Sequence, residues 1–115
     1  MENILEELNQ IPGVMGSMII GKDGLVIVPL WEQDVDMDMV GADSADILGA
    51  AESLMEDKFE YGPIDILSLE TKNANFFLKS IDDSTFVAVA ASPTANLGLI
   101  RLEIRSAAKK LEEVL

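Results

Sequence analysis

Gly16, four intervening residues, Gly21 and Lys22 have the spacing of a phosphate-binding loop, G-x-x-x-x-G-K. Such a loop wraps backbone N–H groups around a polyphosphate, brings its lysine to the terminal phosphates and sets a Ser or Thr hydroxyl on magnesium. Here the position after Lys22 is Asp23, whose carboxylate would sit beside the phosphates. The motif also needs a loop between its glycines and a helix behind its lysine. Ser17-Met18-Ile19-Ile20 is a strand sequence instead, and Lys22-Asp23-Gly24 between two apolar runs is hairpin chemistry, with Gly24 supplying the positive-φ position. The match is coincidental and predicts no nucleotide site.

Asp34, Asp36 and Asp38 alternate like the ligands at positions 1, 3 and 5 of an EF-hand loop. The glycine and glutamate required at positions 6 and 12 are replaced by Met39 and Ala45, so only weak cation binding is left open and the segment reads as a solvated acidic loop. The chain has no His and no Cys, which removes the most versatile acid–base and nucleophilic side chains and most transition-metal sites. Its serines therefore have no imidazole to activate them. Paired carboxylates are abundant, but a glycosidase also needs an aromatic cleft and aromatics make up 5% of the chain. Arg101 and Arg105, the only arginines, stand one helical turn apart; either has the chemistry of a finger on a partner's nucleotide, and both have acids nearby, Glu103 and Glu112, to pair with. No catalytic residue, cofactor ligand or metal ligand set is predicted, so the chain is not expected to be an enzyme.

Its composition points the same way. Twenty-one acids against eight bases give a net charge of −13, and no Lys or Arg lies between Asp23 and Asp57. That surface repels phosphate backbones and anionic lipid, so nucleic acid and membranes are not expected partners. The acidic N-terminus lacks the pattern of a signal peptide, and the apolar stretches are interrupted by Lys22-Asp23 or by Pro29. With no cysteine to form disulfides, a cytoplasmic protein is expected, a single domain over residues 1–115.

The elements follow from periodicity. Ile4, Leu5, Leu8 and Ile11 mark a short amphipathic helix from Glu2 to Gln10, ended by Pro12-Gly13. Two strands around Lys22-Asp23 come next. A helix is predicted from about Val40 to Phe59, with Ile47, Leu48, Ala51, Leu54, Met55 and Phe59 facing the core. On another side Gly41, Ala45, Gly49 and Ser53 form a ridge almost without side-chain bulk. Glycine inside an exposed helix costs about 1 kcal/mol relative to alanine, so this ridge calls for a close-packed neighbour, either this chain's own backbone or another chain's helix. Tyr61-Gly62-Pro63 breaks the helix. Strands Ile64 to Thr71, Asn75 to Ile81 and Thr85 to Ser92 follow, joined by tight polar turns, and Phe86-Val-Ala-Val-Ala-Ala91, apolar on both faces, belongs at the centre of a sheet. A last helix starts near Ser92-Pro93 or Asn96 and buries Leu97, Ile100, Ile104, Ala107, Ala108, Leu111 and Leu115, with Leu99 and Leu102 on its outer side.

This order of elements, helix, two strands, helix, three strands, helix, resembles the Roadblock family, which includes the dynein light chains of the Roadblock type. The local matches are IPGVMGSMIIGKDGLVI, where Gly13, Gly16, Asp23 and Gly24 fit a frequent Gly-x-x-Gly pattern leading into the first hairpin, and ANLGLIRLEIRSAAKKLEEVL at the last helix. The resemblance implies an α+β, profilin-like fold: a five-stranded antiparallel sheet with the middle helix on one face and the terminal helices on the other. It also implies homodimers, or heterodimers with a paralogue, joined along the third strand with the middle helices side by side. The ridge would then pack against its counterpart, and Gly41, Ala45, Gly49, Ser53, Ile64, Ile66 and Ser68 would lie at the interface. The prokaryotic, MglB-like branch, which the chain resembles most, binds a small Ras-like GTPase and stimulates its hydrolysis. Carried over, Ala45 and Gly49 would make close contact with the GTPase, rimmed by Asp43, Asp46 and Glu52. A scaffold dimer without effect on hydrolysis is the alternative, and a small-ligand sensor a weaker one.

Overall fold

Seven residues in a row are buried in the strand Thr85–Ala91, and the rest of the fold is arranged around it. The computed structural model describes all residues, Met1–Leu115. Its elements are α1 (Glu2–Asn9), β1 (Val14–Gly21), β2 (Val26–Trp31), α2 (Met37–Glu52), a π-helical continuation of α2 (Ser53–Lys58), β3 (Leu67–Glu70), β4 (Asn75–Ser80), β5 (Thr85–Ala91) and α3 (Leu97–Val114). The strands form one antiparallel sheet in the order β2-β1-β5-β4-β3. Period-two alternation sends the side chains of β5 to both faces. Val87, Val89 and Ala91 meet α1 and α3 in a core with Leu5, Phe77, Ile100, Ile104 and Leu111, whereas Phe86 and Ala88 meet α2 in a smaller core with Met18, Ile20, Leu48 and Leu78. The expected layering is thus present, with the middle helix alone on its face. No helix is long and apolar enough to cross a membrane.

The turns identify the residues that resembled a phosphate loop. Residues 16–21 lie in β1, and Asp23 shapes the β1–β2 turn: its carboxylate accepts the Leu25 N–H at 3.1 Å, while the Gly24 N–H donates to the Gly21 carbonyl at 2.9 Å. Gly24 takes φ 93°, the left-handed conformation that glycine adopts without strain. At the other hairpin Asp82 accepts from the Ser84 N–H and from the Thr85 N–H and hydroxyl. The Thr85 hydroxyl and then the backbone donors hold its carboxyl below the usual range.

Three boundaries move for local reasons. Asp36 accepts the Met39 N–H at 3.2 Å, so the acidic loop supplies an N-cap and α2 starts at Met37, ahead of the predicted Val40. Asn96 accepts the Leu99 N–H at 3.0 Å and is the cap of α3, while Ser92 holds the preceding turn through the Thr94 N–H. Beyond Glu52 the helix widens: the Phe59 N–H donates to the Leu54 carbonyl at 3.0 Å, a five-residue step. Glu60 at φ 56° and Gly62 at φ 98° then turn the chain out of the helix. Ile64 to Ile66 stay outside the sheet, and β3 is confined to Leu67–Glu70.

Candidate interaction site

The middle helix rests on the sheet through its smallest residues. Gly41 is buried, and a Cβ there would collide with the Gly24 carbonyl oxygen and lie 2.9 Å from Val26 Cγ2. Ser44 and Leu48 are buried one and two turns further on, with Met37, Val40 and Ala45 packed beside them. This contact rotates α2 away from the predicted phase. Of the six residues assigned to the core, only Leu48 is buried; Ile47, Leu54 and Phe59 are 43%, 47% and 53% exposed, and Ala51 and Met55 are half-buried. Their apolar side chains form a flank beside the sheet instead.

The small-residue ridge divides accordingly. At Gly41 the neighbour is this chain's own hairpin. Ala45 is half-buried against the core, and Ser53 accepts a hydrogen bond from Lys58 Nζ at 2.9 Å. Gly49 is exposed and a Cβ there would meet nothing within 4 Å. Of the acids on this helix, Asp43 and Asp46 are exposed and unpaired, whereas Glu52 reaches Lys22 Nζ at 3.5 Å. Phe59 and Tyr61 stack at 5.2 Å between ring centroids and are both exposed, extending the apolar flank past the end of the helix.

Between this flank and the sheet runs a groove of about 500 Å³. Ala51, Leu54 and Met55 line its helix side, Ile64 to Ser68 its floor, and Arg101 and Arg105 of α3 its far end. Along the groove lies the outer edge of β3, which pairs only with β4. The Thr71 N–H donates to the Ala74 carbonyl at 2.9 Å, continuing the register Leu67↔Leu78 and Leu69↔Phe76. By the alternation of an antiparallel ladder, the N–H and C=O groups of Ser68 and Glu70 therefore point outward, without partners in the sheet.

The arginines behave differently from the expectation that Glu103 or Glu112 pairs with them. Arg105 forms a two-pronged contact with Asp65, Nε and Nη2 lying 2.9 and 2.7 Å from Oδ2, and Lys79 Nζ approaches the same carboxylate at 3.1 Å. These two cations, Arg105 foremost, lower the Asp65 carboxyl from 3.8 to about 2. The sheet edge brings Asp65 to α3 across 40 residues of sequence, which no local pattern reveals. Arg101 lies 5.9 Å from the centre of the Phe77 ring and has no carboxylate partner. Both arginines stand on the α1/α3 side of the sheet, away from the exposed face of α2.

Asp34, Asp36 and Asp38 do not converge, and no group of three or more acids forms a metal ligand set. The site has instead the attributes of a contact surface: a groove, an open strand edge, an apolar flank and an acidic helix face.

Residues 1–91 match the family model of the Roadblock/LC7 domain. An uncharacterized protein of Methanocaldococcus jannaschii is 33% identical over 112 residues, covering 97% of this chain and 96% of its own. Among solved structures, a Roadblock/LC7 domain from Streptomyces avermitilis superposes with a TM-score of 0.89 at 16% identity, over 99% of this chain and 96% of that one. MglB of Myxococcus xanthus superposes with a TM-score of 0.90 at 17% identity, over 97% and 91%, and at such identities the likeness is one of fold. Family model and fold agree: the chain belongs to the Roadblock/LC7 family, with the fold of its MglB-like members.

Proposed function

We propose that residues 1–115 act as one dimeric interaction module that docks a small Ras-like GTPase in the cytoplasm and modulates its nucleotide hydrolysis. One observation carries this reading: the apolar flank of α2 is continuous with the open edge of β3, and Asp43 and Asp46 stand exposed and unpaired on the same helix. A dimer formed along β3, with itself or with a paralogue, covers the flank together with Ile64, Ile66 and Ser68, and leaves Ala45, Gly49 and Ser53, on the other side of the helix, to a further contact. Gly41, already beneath its own hairpin, serves the fold and leaves the contact to the others. The helical surface, flat at Gly49 and rimmed by Asp43, Asp46 and Glu52, meets a GTPase surface of basic character.

Stimulation would come from ordering the GTPase's own catalytic groups. Arg105 is held by Asp65, and both arginines lie in the opposite layer from α2. The same position of the arginines favours the second reading, a scaffold dimer that leaves hydrolysis unaltered. Single-turnover GTP hydrolysis by the Ras-like GTPase of the same organism, with and without excess of this protein, separates the two. Acceleration is the expected result. A complex on size-exclusion chromatography without acceleration establishes the scaffold, and the absence of any complex removes this GTPase as a partner.

A further inference from the structure

We infer that Arg101 is the receiving group for Glu70 of a second copy, so that two symmetric Arg101–Glu70 pairs clamp the ends of the β3–β3 junction. The inference rests on the dimer proposed above and names the contact that fixes its pairing. Arg101 is half-buried at the end of the groove, over the Phe77 ring, and it has no ion pair in a chain with more than twice as many acids as bases. Its neighbour Arg105 is already neutralised by Asp65. An unpaired guanidinium bordering an apolar groove is a position that favours an incoming carboxylate.

The geometry of the edge selects which carboxylate arrives. Ile66 packs into the α1/α3 core and Leu67 into the α2 core, so Ser68 and Glu70 share the face of Ile66, the face from which Arg101 projects. The outward backbone groups belong to Ser68 and Glu70. An antiparallel second strand must therefore bond through the same alternate residues, which permits only registers that differ by two. Pairing centred on Ser68 sets Glu70 of the second copy opposite Ile66. A slip by one permitted step either way sets it opposite Ile64 or Ser68. All three positions line the groove that Arg101 borders, and Ser68 is the cross-strand neighbour of Phe77, over whose ring Arg101 lies. Each register therefore sets the carboxylate on the face of Arg101, within two same-face steps of that ring. Glu70 is also exposed and unpaired in its own chain, whereas Asp65, the other acid on this stretch, is occupied. A register with the two Glu70 residues facing each other is disfavoured by like-charge repulsion.

A charge swap tests this. Dimer dissociation constants are measured by sedimentation equilibrium for the wild type, Arg101→Glu, Glu70→Arg and the double swap, with circular dichroism to verify folding. Each single reversal is expected to weaken the dimer at least tenfold, and the double swap to recover most of that loss. The milder Arg101→Gln and Glu70→Gln replacements, which introduce no repulsion, should each weaken it less and give no additive loss when combined. Folded single variants with unchanged dissociation constants, or a double swap as weak as its parents, would overturn the pairing while leaving the dimer intact. A wild type monomeric at every concentration would overturn the dimer itself and this contact with it.

Discussion

The sheet has two edges, and they are built to opposite ends. The β2 edge is closed to further pairing. Pro29 sits in the middle of the strand and cannot donate a hydrogen bond, and the register slips between Ile19 and Ile20, leaving Ile27 as a bulge. A proline and a bulge are the devices by which strands avoid edge-to-edge association. The β3 edge has neither. Its four residues keep an unbroken register with β4, its outward backbone groups are free, and the apolar flank of α2 runs alongside. Exposed apolar groups occur at both ends, Leu25 and Ile27 at one and Leu54 and Leu69 at the other, so hydrophobicity alone does not separate them. The difference lies in the backbone: one edge has been made unable to pair and the other kept in register.

The most damaging change to that difference is to give β3 the defect of β2. Because the Ser68 N–H points outward, Ser68→Pro removes a donor that the isolated fold does not use. Across the proposed twofold junction two hydrogen bonds would be lost and two carbonyls left unsatisfied, which should weaken the proposed dimer on the order of 100-fold. Sedimentation equilibrium gives the dissociation constant, and a urea titration at concentrations below it should show little change in the folded monomer. A dimer that survives Ser68→Pro would place the junction elsewhere. Leu54→Asp, on the flank, should weaken the same dimer by about tenfold through lost apolar contact, again without harming the monomer.

The two glycines of the middle helix show a similar contrast, one closed over and one open. Gly41 stands on the closed side, where the hairpin leaves no room for a side chain. Gly41→Ala must push the helix or the Gly24 turn aside and should cost about 1–3 kcal/mol in chemical unfolding. Gly49 faces solvent, on the side of the helix away from the apolar flank. Gly49→Ala should stabilise the monomer by up to about 1 kcal/mol, since alanine is the better helix former and nothing opposes its methyl group. Gly49→Arg should leave the monomer folded but disturb dimerisation or GTPase capture. If light scattering and capture both stay unchanged with Gly49→Arg, the open face of this helix contacts nothing.

What the sequence discloses, it discloses through local rules. The all-apolar Phe86–Ala91 run requires two covered faces and so identifies the central strand, and the Lys22-Asp23-Gly24 turn excludes the phosphate loop. The phase of α2 is hidden for a physical reason. Ile47, Leu54 and Phe59 are as apolar as core residues, and a stripe that packs against another molecule has the same composition as one that packs against the sheet. The close approach of the Gly24 turn to Gly41 goes with the observed phase of the helix, and it depends on where the hairpin comes to lie. The partner of Arg105 is hidden likewise. Glu103 and Glu112 are near in sequence, but Asp65 is carried to the arginine by the sheet edge.

That ion pair is the smallest effect with a definite sign. Asp65 joins the segment before β3 to α3, bracing the open edge from behind, and its carboxyl is lowered from 3.8 to about 2 by Arg105 and Lys79. A carboxyl with a depressed folded value contributes stability above its unfolded value, and that contribution disappears as the pH falls through the folded value. The window is therefore from 3.8 down to about 2. The carboxylate is 56% exposed, so solvent screens much of the interaction and the contribution is well below the full linkage value. Other carboxyls also protonate in this range, Asp82 among them, so a single acid titration cannot isolate it. Comparison with Arg105→Gln does. The wild type should be slightly more stable than this variant in urea at neutral pH, and the gap should narrow below 3.8 and close only below about 2, where Asp65 becomes neutral in both. A gap independent of pH would mean that Arg105 supports the edge by packing against the groove, with its charge playing no part.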